Sequence, residues 1–66
     1  MNYGHILQDL RRQDGLNQSE AAELLGFRWY APVHKIEAGK GEPSPQVRML
    51  INLWRKDGAD ALRRLR

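Results

Sequence analysis

Few side chains in this 66-residue chain are placed for catalysis. His5 and His34 stand far apart, there is no cysteine and no His-Glu-x-x-His pair, so a zinc site has no framework. Ser19 and Ser44 have no evident base beside them. The run Gly39-Lys40-Gly41-Glu42-Pro43-Ser44 contains Gly-Lys-Gly but lacks the Walker spacing, which excludes a phosphate-binding P-loop. The carboxylates read as helical surface charges or ion-pair members. No enzymatic activity, metal or cofactor is expected. The unusual chemistry is concentrated instead in Leu25–Lys40, LGFRWYAPVHKIEAGK. Val33 and Ile36 have helical spacing there. Arg28, Trp29, Tyr30 and Pro32 crowd the start of that helix, and His34, Lys35 and Lys40 follow. Cations and aromatics at a helix start pose the question of a partner.

The charge balance bears on the same question. The chain carries eleven Lys and Arg against eight Asp and Glu, a net charge of +3. The excess is uneven: residues 1–47 hold five basic and six acidic side chains, residues 48–66 six basic and two acidic. A solvated basic end and attraction to nucleic acid are both compatible with this distribution. The lack of cysteine excludes a disulfide framework and fits a reducing, cytoplasmic setting. No apolar run approaches the roughly 20 residues of a membrane span. The start, MNYGHILQDL, lacks the basic region and apolar block of a secretory signal. The initial Met reads as the start of a complete small protein of one domain, 1–66. A chain this short buries only about 60% of its unfolded surface, which makes self-association a natural remedy.

Five helices must position these residues. Single glycines at 15, 26, 39 and 58 each follow a plausible helix, where a left-handed C′ residue sits. Helix 1 is expected over roughly Tyr3 to Asp14, with Ile6, Leu7 and Leu10 inward. Helix 2, Gln18 to Leu25, has Asn17 as N-cap and Glu20 in a capping-box position; Ala21, Ala22 and Leu25 face inward. Helix 3, Ala31 to Ala38, turns Val33 and Ile36 inward, with Ala31 as cap and Pro32 first in the helix. Helix 4 begins at Pro45 under a Ser44 cap and runs to about Lys56, with Val47, Leu50, Ile51 and Trp54 inward. Helix 5, Ala59 to Leu65, carries Ala61, Leu62 and Leu65. No segment alternates as a strand would. The connection between helices 2 and 3 is so short that they must cross at a large angle, a helix-turn-helix unit suited to the DNA major groove.

The stretch LRRQDGLNQSEAAELLGF…VHKIEAGKGEPS resembles the Xre/Cro family of lambda-repressor-like helix-turn-helix domains, over about Ile6 to Trp54. The resemblance rests on Arg11 four residues before Gly15, Leu16-Asn17-Gln18, a small-residue helix ending Leu25-Gly26-Phe27, and Ile36-Glu37-x-Gly39-Lys40. It implies an all-α, compact five-helix bundle that binds double-stranded DNA as a dimer at an inverted-repeat operator. It implies an ion pair between Arg11 and Glu37. Phosphate contacts are implied for Gln18, Asn17, Lys40 and Ser44, with Arg28 a further candidate, and such contacts set register without reading sequence. Base-reading positions fall on Tyr30, Ala31 and Lys35, with His34 beside them. Lys35 can donate to guanine O6 or N7 and Ala31 can meet a thymine methyl. Trp29 either covers the turn or contacts DNA; Phe27 already supplies the apolar turn residue, which favours DNA. The interval Gly26 to Glu37 is one residue longer than in the lambdoid repressors, and Arg28-Trp29-Tyr30 stands where Ser or Thr usually caps helix 3.

The function expected from this resemblance is sequence-specific transcriptional regulation: a Cro-type repressor or autoregulator of a small bacterial, phage or mobile-element operon. Met49, Leu53, Leu62 and Leu65 are the expected contacts between two copies, although helix 5 folding over Met49 and Leu53 would explain the same pattern within one chain. No small-molecule ligand and no membrane are expected. The alternative is an antitoxin-type DNA-binding module that also binds a partner protein.

Overall fold

Asn2, Asn17 and Ser44 each start a helix by accepting a hydrogen bond that the helix cannot supply to its own first turn. The computed structural model describes residues 2–65; Met1, and Arg66 of the basic end, lie outside them. The Asn2 side chain accepts from the His5 N–H at 3.2 Å and opens α1, Tyr3–Gln13. Asn17 accepts from the Glu20 N–H at 2.8 Å while Glu20 accepts from the Asn17 N–H at 3.0 Å, a closed capping box at the head of α2, Gln18–Leu24. Ser44 Oγ accepts from the Val47 N–H at 3.3 Å, with Pro45 first in α4, Pro45–Asp57. α3 spans Ala31–Glu37 and α5 spans Ala59–Arg63. No strand occurs among the described residues.

The start of α3 differs from expectation. Its cap is Tyr30, not Ala31. Tyr30 already has helical backbone angles, and its carbonyl accepts the His34 N–H at 3.0 Å, so the first helical bond closes one residue earlier. Pro32 is therefore the second helical residue, where its missing N–H still costs no intrahelical bond. No side chain caps this end.

The ends of α1, α2 and α3 share one design. After α2, the Phe27 N–H donates to the Ala22 carbonyl at 2.9 Å and the Gly26 N–H to the Glu23 carbonyl at 3.1 Å. This pair of bonds needs a left-handed residue between them, and Gly26 supplies it with φ of 85°. Leu16 to Arg11 and Gly15 to Arg12 repeat the pattern after α1, and Lys40 to Lys35 and Gly39 to Ile36 repeat it after α3. Each helix thus stops abruptly and the chain changes direction there.

α1 packs on α3 and α4, α2 on α3 and α5, and α4 on α5. Trp54, Leu7, Ile51, Leu62 and Val33 are the large side chains fully buried between them. Ala21 and Ala22, also fully buried, let α2 approach closely. The Trp54 indole N–H donates to Asp14 Oδ2 at 2.7 Å, so the largest core side chain keeps its polar atom satisfied at the end of α1. The radius of gyration, 10.4 Å, matches the roughly 11 Å expected of a compact chain of this length. Leu62 is a correction: expected between two copies, it is only 2% exposed and belongs to the core of the single chain. α5 has five residues, too few to form a helix alone. It holds because Ala59 and Leu62 are buried, and burying a leucine contributes about 1.5–3 kcal/mol.

Candidate nucleic-acid interface

α3 is fixed to the molecule from its C-terminal end. Glu37 accepts from Arg11 Nε at 2.8 Å and from Arg11 Nη2 at 2.9 Å, a bidentate pair between α3 and α1. The Glu37 side chain is 4% exposed and that of Arg11 13%. Arg11 also donates from Nη1 to the Leu16 carbonyl at 3.1 Å, which ties the turn after α1 into the same cluster. Gln18 Nε2 donates to Glu37 Oε1 at 3.3 Å and brings in the start of α2. The hydrogen bond to Glu37 raises the Arg11 guanidinium above its ordinary pKa, with burial opposing and charge attraction assisting. The guanidinium therefore stays charged throughout the working pH range.

Gly4 completes the mounting. It is buried in the first turn of α1, and a β-carbon there would come within 2.5 Å of the Ile36 carbonyl oxygen and 3.3 Å of that of Glu37. The backbones of α1 and α3 meet without a side chain between them. Asn2, Gly4, the Gln18 bond to Glu37 and the Trp54 bond to Asp14 are structural roles that sequence reasoning missed. A glycine inside a helical pattern was the available signal for Gly4.

Mounted this way, α3 buries Val33 and Ile36 and exposes the opposite side. His34, Lys35 and Ala38 are exposed and Ala31 is half-buried, at the i, i+3, i+4, i+7 spacing of one helix face. Ahead of it Arg28, Trp29 and Tyr30 are exposed, and behind it Lys40. Trp29 is 63% exposed and Tyr30 47%. Their rings meet edge to face, with centroids 5.7 Å apart, and the Tyr30 and His34 rings lie 6.5 Å apart. A shallow apolar groove runs between α3 and the segment before α4, lined by Phe27, Pro32, Lys35, Pro43 and Ser44. It brings Ser44 to the same side as Lys35, and Glu42 with it. Asn17 and Gln18, expected at phosphates, are both engaged inside the chain, in the capping box and with Glu37.

Away from this face, Met49 and Leu65 are 69% and 64% exposed, and Leu53 is half-buried against the core. No helix among the described residues is long and apolar enough to cross a membrane. The chain matches no protein-family model, no curated protein and no solved structure among those compared with it.

Proposed function

We propose that the chain is a sequence-specific DNA-binding regulator, a dimeric repressor without enzymatic activity, whose α2 and α3 form a lambda-repressor-like helix-turn-helix. The observation that carries this proposal is the rigid mounting of α3. A seven-residue helix is held by a part-buried bidentate ion pair and a glycine contact, and it turns a continuous face bearing His34 and Lys35 outward. A helix that must lie in a groove with fixed register needs such mounting. Lys35 then donates to a guanine edge, Tyr30 and His34 reach neighbouring base edges, and Arg28, Lys40 and Ser44 meet phosphates. Gln18 keeps the Glu37 carboxylate in place and steadies the start of α2 near the backbone.

The partner is duplex DNA carrying an inverted repeat, bound by two copies of the chain. Met49 and Leu65, with the edge of Leu53, form the contact between copies, and Leu62 takes no part because it is buried. Two-fold symmetry places the two α3 helices about 34 Å apart, one turn of DNA. Repression follows from occupying the promoter.

Selection of bound duplexes from a random pool, followed by sequencing, tests the proposal. The expected product is a short inverted repeat with a half-site spacing near one helical turn. An unenriched pool overturns it.

A further inference from the structure

Trp29 and Trp54 are used in opposite ways. Trp54 is buried with its indole N–H bonded to Asp14. Trp29 is 63% exposed beside the outward face of α3, resting its ring against Tyr30. The aromatic run continues from Tyr30 to His34, and successive rings are crossed at 71° and 68°. Crossed rings offer no two parallel faces, so this run is not built to clamp a flat base between them. It offers corners between aromatic faces, which suit a small rounded apolar group. Ala31, half-buried at the head of α3, adds a methyl to the same end, while Lys35 lies a turn further on. On the base edges of the major groove, the apolar group that carries sequence information is the C5 methyl of thymine. Methylated cytosine presents a methyl at the same ring position.

Resting on the DNA-binding reading above, we propose that Trp29 and Tyr30, backed by His34, read pyrimidine C5 methyl groups in the major groove. They determine specificity by apolar contact at the start of α3. Two consequences follow. Replacing thymine by uracil under this corner removes the methyl and leaves every hydrogen-bonding atom of the base pair unchanged. Methylating a cytosine there adds the group and strengthens binding, which makes the site sensitive to DNA methylation.

The test uses the full chain and the duplexes recovered by selection. Each thymine of the half-site is replaced in turn by deoxyuridine, each cytosine by 5-methylcytosine, and affinities are measured for the wild-type chain, Trp29→Ala and Tyr30→Ala. The wild type is expected to lose about fourfold per half-site at one or two thymine positions, the effect of burying one methyl-sized group. Trp29→Ala, an exposed position whose folding circular dichroism checks, is expected to bind the parent duplex more weakly and to lose the difference between thymine and uracil. Indifference of the wild type to every methyl overturns the proposal and leaves DNA binding standing. A methyl effect that persists unchanged in both variants also overturns it. Absence of any preferred duplex removes the DNA-binding reading itself.

Discussion

Glu37 accepts from three side-chain donors: two nitrogens of Arg11 and the amide of Gln18. Its side chain is only 4% exposed. Glu37→Ala leaves the Arg11 guanidinium charged and largely buried, and is expected to cost about 3–5 kcal/mol, read from urea denaturation. Because a domain of this size has only about 5 kcal/mol in hand, much of the variant should be unfolded. Replacing both partners, Arg11→Met with Glu37→Leu, should restore most of the loss. If Glu37→Ala unfolds at the wild-type urea concentration, the cluster does not hold α3. Lys35 is the opposite case, exposed on the outward side of α3. Lys35→Ala should keep wild-type stability and lose preference at one base pair per half-site, by about 1–3 kcal/mol. A uniform loss across all sequences would make Lys35 a phosphate contact instead.

At the scale of elements, what the sequence disclosed was local. Glycines 15, 26 and 39 marked the ends of α1, α2 and α3, and Asn17, Glu20 and Ser44 marked the starts of α2 and α4, because caps and left-handed turns are written within a few residues. The inward faces of α3 and α4 followed from helical spacing. Long-range choices left weaker traces. Nothing near Trp54 in sequence announces that its indole N–H meets Asp14, forty residues away. Leu62 looked like interface because an apolar residue on a short terminal helix reads the same whether it meets its own core or another chain. The cap of α3 was displaced because Tyr30 adopts helical angles that no capping residue signals. Gly4 shows the same limit, since its role depends on the carbonyl of Ile36. Gly4→Ala should therefore destabilise by about 1–3 kcal/mol through overpacking, although alanine favours a helix interior by about 1 kcal/mol. A rise in the unfolding midpoint would show that α1 and α3 have room to part.

At the scale of the molecule, the ion-pair cluster and Gly4 lie on one side of α3 and the exposed aromatics and cations on the other. The net charge of +3 favours association with a polyanion without dictating sequence; in the proposed function, selectivity falls to the α3 face. Met49 is better suited than Leu53 to test the proposed dimer, because it is 69% exposed and its loss leaves the core intact. Met49→Asp should remain folded, sediment as a monomer, and lose at least tenfold in affinity for the inverted repeat. An unchanged sedimentation coefficient would place the contact elsewhere. The most direct test of sequence-specific binding is a titration of the selected inverted repeat against a scrambled duplex of equal length, at several salt concentrations. A sequence-specific regulator should show at least about a thousandfold preference for the repeat, with the logarithm of affinity falling linearly against the logarithm of salt for both. Equal affinity for the two duplexes, or binding to neither at low salt, would contradict it.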